Sequence, residues 1–241
     1  MFYSRSLLAI LLSLPAGALA QQTTVPEYDT QEIAKETEQL DSHGGKMGLF
    51  WWVPVEFWEQ SAMKSGVSAA RAKQLFAPLG NYNLLIVGVG HYSLNGISWD
   101  TEPDLRKNMT LRDQAGNTYK PLEKPGDDAQ GFSDMMKPIL KNILGPMGEG
   151  VQLFFFPKKD PEGKEFADPR RTAELTLLVQ DLMDPGVNTY VWRLPLTSLS
   201  PAKYCPVGKE RVNANWKYCP WHGNKLVNEP ATVSAPGPAK P

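Results

Sequence analysis

Few side chains in this sequence can do chemistry, and they are scattered. There are two cysteines, Cys205 and Cys219, and three histidines, His43, His91 and His222. With only three histidines, spread over positions 43, 91 and 222, a multi-histidine metal centre is not expected. His91 follows Gly90 inside the apolar run 82–94. It could serve as a general base if a carboxylate lay within reach in a cleft, but a hydrogen-bonded sheet histidine is the commoner occupant of such a position. Carboxylates cluster at Asp100, Glu102 and Asp104 and at Asp127 and Asp128. A glycosidase needs two carboxyls in one cleft, whereas the neighbouring Pro103 and Pro125-Gly126 place these groups in solvated loops. Neither cluster has the spacing of a calcium loop. Phosphate-binding and dinucleotide-binding glycine loops are absent, because Gly88-Val89-Gly90 sits inside a strand pattern and lacks a third glycine.

His43-Gly44-Gly45 has the residues of an esterase oxyanion loop, but no Gly-x-Ser-x-Gly elbow accompanies it. The plainer expectation is a turn ending a helix near Leu40. Trp51, Trp52 and Trp58 would form a carbohydrate or partner platform if exposed, yet their spacing suits a core better. With His91, Trp51 and Trp52 are the candidate binding residues; no catalytic residue is assigned and no cofactor is expected.

The chain has 241 residues and a formal charge of −1, with 41 % hydrophobic and 21 % charged residues. That balance excludes a disordered polyelectrolyte and gives no case for nucleic acid. Residues 1–20 read as a signal peptide: Arg5 supplies the positive start, Leu7 to Leu14 the apolar stretch, and Ala18-Leu19-Ala20 the small residues of a cleavage site. Eight apolar residues are too few to span a bilayer. The mature chain would begin at Gln21 and work in the periplasm or outside the cell, without a transmembrane segment.

Tyr204-Cys205-Pro206-Val207-Gly208 and Tyr218-Cys219-Pro220-Trp221-His222-Gly223 form two cysteine-proline turns, each closed by glycine. They resemble the paired knuckles of a zinc ribbon, in which each knuckle supplies two ligands in the form Cys-Pro-x-Cys-Gly. Here the first knuckle lacks its second cysteine and the second carries His222 in that place. The resemblance therefore implies a degenerate ribbon, and Cys205, Cys219 and His222 are one ligand short of the four that tetrahedral zinc takes. An even pair of cysteines in an exported chain favours a Cys205–Cys219 disulfide; a three-ligand metal site and free thiols are the alternatives.

These residues must be positioned by the elements around them. Capping and periodicity predict helices from Thr30 to Leu40, Pro54 to Lys64, Ser68 to Phe76, and Ser133 or Pro138 to Leu144. Residues 125–134 read as a polar loop. Met47–Trp52, Tyr82–Leu94, Val151–Phe156, Ala173–Gln180 and Thr189–Leu194 read as strands, with a hairpin joining Met109–Asp113 to Thr118–Leu122. Tyr82–Leu94 should be central, with Gly88 and Gly90 marking close approach of another element. Leu84, Ile86, Leu111, Phe154, Leu175, Leu177, Val179 and Trp192 form the expected inward set.

The stretch Leu111 to Tyr119, strand-Asp-x-x-Gly-x-x-Tyr-strand, resembles a hairpin of immunoglobulin-like accessory domains of exported bacterial proteins. The expected fold is α+β, mainly an antiparallel β-sandwich (immunoglobulin-like) with helical insertions and a C-terminal β-hairpin. A mixed sheet with helices on one face is the alternative. The chain divides into a signal peptide (1–20), a polar segment with a short helix (21–45), the core (46–200), the cysteine-proline hairpin (201–227) and a disordered tail (228–241). The functional expectation is non-catalytic binding or assembly with another exported or envelope protein; the alternative is an exported hydrolase using His91 and a loop carboxylate.

Overall fold

The computed structural model describes residues 28–214 and 216–228, so the expected signal peptide (1–20) and residues 229–241 of the expected disordered tail lie outside the described residues. The first helix, α1 (Thr30–Thr37), is capped by Asp29, which accepts a hydrogen bond from Gln31 N at 2.9 Å. It stops three residues before Leu40. From Glu38 the chain is β1 (Glu38–His43), paired antiparallel with β2 (Lys46–Val53). Gly44 and Gly45 turn the hairpin at φ +57° and +76°, a conformation glycine adopts without steric cost. The His-Gly-Gly triplet is thus a hairpin turn and not a helix terminator.

Two short helices follow, α2 (Val55–Lys64) and α3 (Ala69–Phe76), the second capped by Ser68 as its sequence predicts. The long strand β3 (Tyr82–Ser93) is central: β2 pairs along one edge, and β4 (Gly96–Trp99) and β7 (Gln152–Pro157) share the other. The glycines of β3 permit that sharing. A Cβ on Gly88 would come within 3.0 Å of Val151, and one on Gly90 within 2.7 Å of the Trp99 ring.

The polar stretch after β4 is not loop throughout. Glu102 and Asp104 lie in the first turn of α4 (Glu102–Asn108), capped by Thr101 and anchored by buried Leu105. Likewise the expected loop 125–134 opens α5 (Asp127–Ile143), where Asp127 and Asp128 complement the helix dipole. The helix extends that far because Ala129, Phe132, Met136 and Leu140 bury one helical stripe, with Pro138 tolerated inside it. Then β5 (Met109–Arg112), β6 (Thr118–Tyr119), β8 (Ala173–Gln180) and β9 (Val187–Leu194) form a second sheet, ordered β6-β5-β8-β9. The protein is an α+β fold with mostly antiparallel sheets.

Alternation along β2 and β3 divides the core. Phe50, Trp52, Leu85, Val87 and Val89 join Leu111, Leu175, Leu177, Val179 and Trp192 of the second sheet in one cluster. Leu49, Trp51, Val53, Leu84 and Ile86 point the other way, into a cluster with Trp58, Phe132, Met136 and Leu140 from α2 and α5. Every member of the expected inward set is buried, but Leu84 and Ile86 belong to the helical layer. A strand covered on both faces has two inward sets, one for each parity.

Candidate metal centre

The C-terminal segment carries β10 (Lys203–Tyr204) and β11 (Arg211–Val212), paired antiparallel, and each cysteine opens a turn. In the first, Lys209 N donates to Cys205 O at 2.9 Å and Gly208 N approaches Cys205 Sγ at 3.4 Å. In the second, Gly223 N donates to Cys219 O at 2.8 Å, with Gly223 at φ +68°. Val227 pairs with Tyr204, laying the chain that leaves the second turn against the strand that enters the first. That pairing brings the two turns face to face and buries both thiols.

Four donor atoms converge there: Cys205 Sγ, Cys219 Sγ, His222 Nδ1 and a carboxylate oxygen of Glu210, all within 4.8 Å of one another. The imidazole nitrogen is 3.3 Å from Cys205 Sγ and 3.5 Å from Cys219 Sγ. Glu210 Oε1 lies 3.7 Å from Cys219 Sγ and 3.6 Å from His222 Nδ1. The sulfurs are 3.5 Å apart, longer than the bond of about 2.05 Å in a disulfide. With zinc bonds of about 2.3 Å to sulfur and 2.0–2.2 Å to nitrogen and oxygen, a tetrahedron has edges of about 3.8 Å (S···S), 3.5 Å (S···N and S···O) and 3.4 Å (N···O). Five of the six separations match those edges to within a few tenths of an ångström; the sixth, Cys205 Sγ to the Glu210 carboxylate, lies within 4.8 Å.

Glu210 is the donor of this cluster that reading the sequence missed. Its only trace there is that it is the one acidic residue in 201–227. Gly208 makes room for it: a Cβ at that position would overlap the carboxylate, approaching Cδ to 2.7 Å and Oε1 to 2.9 Å. The electrostatics follow the convergence. Its own backbone N–H, with help from the cysteines and His222, holds the Glu210 carboxyl below the ordinary value. Burial, reinforced by Cys205, pushes the Cys219 thiol up, a cost that a cation removes by binding the thiolate.

The other candidates are placed differently. His91 Nε2 bonds Asp100 Oδ1 at 2.8 Å, so a carboxylate is in reach; Asp100 Oδ2 is buried with no hydrogen-bond partner among the described residues. Trp51, Trp52 and Trp58 are 8 %, 1 % and 6 % exposed and form no platform. Trp51 Nε1 donates to Thr37 Oγ1 at 3.0 Å, and Trp52 packs near Trp192 in the opposite layer. His43 ties β1 to the loop between β8 and β9, with Nδ1 2.7 Å from Asp41 and Nε2 2.8 Å from Asp184. Among the described residues the exposed aromatics are Tyr92 on β3 and, grouped beside the metal-like cluster, Trp216, Tyr218 and Trp221. The chain matches no family model, and no curated protein or solved structure shows significant similarity to it.

Proposed function

We propose that this chain is an exported, non-catalytic binding or assembly protein whose C-terminal hairpin folds around one zinc(II) ion held by Cys205, Glu210, Cys219 and His222. One observation carries the metal: four donors converge within 4.8 Å of one another, with five of their six separations at tetrahedral edge lengths. Two thiolates, an imidazole and a carboxylate are a borderline-soft tetrahedral set, which suits zinc. Four protein donors leave no open position, so the role is structural. A disulfide would account for the cysteines alone and leave the approach of Glu210 and His222 unexplained. On this reading the knuckles are those of a collapsed zinc ribbon in which Glu210 replaces the lost cysteine. The body is an immunoglobulin-like sandwich, supported by an apolar cluster drawn from both sheets. The partner is another exported or envelope protein, met in the periplasm or outside the cell, as the leader at residues 1–20 implies.

Native mass spectrometry of the exported protein tests this. One zinc per chain, thiols that react only after chelation, and an N-terminus at Gln21 are expected. A metal-free mass two protons below the dithiol would establish the disulfide instead. The rival hydrolase draws on the 2.8 Å His91–Asp100 bond. It requires ester or glycoside turnover that His91→Ala abolishes, and a screen without such turnover removes it.

A further inference from the structure

The C-terminal hairpin differs in charge from the rest of the chain. Residues 201–227 hold Lys203, Lys209, Arg211, Lys217 and Lys225 against one carboxylate, Glu210, giving +4 in a chain whose total is −1. Among the described residues none of these five cations forms an ion pair. Metal would not change the balance: two thiolates, a carboxylate and Zn²⁺ carry −1, the same as the carboxylate beside two neutral thiols.

Large rings are interleaved with these cations. Trp216, Tyr218 and Trp221 are 38 %, 60 % and 68 % exposed, and the two indoles meet edge-on with centroids 6.0 Å apart. Lys203 Nζ donates to Trp216 O at 2.9 Å, and Lys225 stands opposite Tyr218 across the second turn. Three exposed aromatics within six residues leave an apolar surface that water covers poorly, and Lys203 and Lys225, beside Trp216 and Tyr218, give it a positive field.

We infer that this hairpin docks an acidic polysaccharide, a polymer of uronate- or phosphate-bearing sugars. The C–H faces of the sugar rings would lie on the indoles, which are broad, rigid and amphipathic, while the lysines and Arg211 neutralise the acid groups. Stacking rings among cations also suit single-stranded nucleic acid; the choice of a glycan rests on the export reading. The surface itself does not depend on the metal.

The mature chain, its zinc content measured, should be titrated with polygalacturonate, neutral dextran and an oligothymidylate while tryptophan emission is followed. Polygalacturonate should quench saturably, with affinity falling about tenfold or more from low salt to 0.3 M as screening shortens the range of the charges. Dextran should not quench. Trp221→Ala and the pair Lys217→Glu/Lys225→Glu should each weaken binding about tenfold with zinc content and circular dichroism unchanged. No saturable quenching, undiminished binding by both variants, or tighter binding of oligothymidylate would overturn the inference. Binding that survives chelation would support the docking surface while counting against the metal as its organiser, so the two readings fail separately.

Discussion

Replacing Gly208 with alanine tests the proposed fourth ligand without substituting any donor residue. The glycine's φ lies outside the left-handed region, so alanine adds no backbone strain. The new methyl would instead occupy the space of the Glu210 carboxylate, coming to 2.7 Å from Cδ and 2.9 Å from Oε1. Those atoms end a flexible side chain, so the carboxylate swings out and the hairpin stays folded. A metal bond tolerates about 0.2 Å, and a carboxylate displaced by roughly 1 Å is lost to the site. Disturbing even the shell behind a ligand typically costs 10–100-fold in metal affinity, and about 1.4–2.8 kcal/mol corresponds to that range. Competition against a chromophoric zinc chelator reads the change. Glu210→Gln alone should weaken binding by a similar factor, and the Gly208→Ala/Glu210→Gln double variant should be no worse than either, because both remove one interaction. Zinc affinity unchanged in Gly208→Ala, or losses that add in the double variant, would refute the assignment of Glu210 as a ligand.

Three further perturbations probe the scaffold. Leu177, fully buried between the two sheets, should cost about 2–5 kcal/mol on truncation to alanine in a urea titration, and a loss under about 1 kcal/mol would contradict its placement. Buried Asp113 accepts from Tyr119 OH at 2.7 Å and from Asn117 N and Nδ2 at 2.9 Å each, so Asp113→Ala should cost about 2 kcal/mol near neutral pH. Burial pushes the Asp113 carboxyl up, but the bonds from Tyr119 and Asn117 outweigh it and leave it below 3.8. Its contribution is therefore present above that value and disappears as pH falls through the folded one. His43 behaves in the opposite sense: bonds to Asp41 and Asp184 raise its pKa above 6.5. The stability advantage of wild type over His43→Gln should be complete below pH 6.5 and vanish as pH rises through the folded value, measured by chemical denaturation across pH; an advantage that grows with pH would contradict the clasp.

Much of the scaffold is legible in local pattern. Ser68 ahead of a helical run announces α3, the unbroken apolar run of β3 announces a strand buried on both faces, and Gly88 with Gly90 announces the close approach of Val151 and Trp99. The Asp113–Tyr119 turn is written in its own side chains. These features depend on neighbours in sequence, so composition and periodicity capture them. Other features depend on a partner elsewhere. Glu38–His43 lacks alternation and becomes a strand because β2 supplies a ladder beside it. The sides taken by Leu84 and Ile86 follow from which layer covers each face of β3. Asp127 and Asp128 sit beside turn-forming residues, yet Phe132 and Met136 draw them into α5 by burying its stripe. The metal-like cluster divides in the same way. Cysteine-proline turns ending in glycine are local signals, and they mark Cys205, Cys219 and His222. Glu210 lies five residues beyond the first cysteine in no recognisable ligand spacing; it reaches the thiols because Val227 pairs with Tyr204, closes the two turns on each other, and leaves the space above Gly208 for a carboxylate.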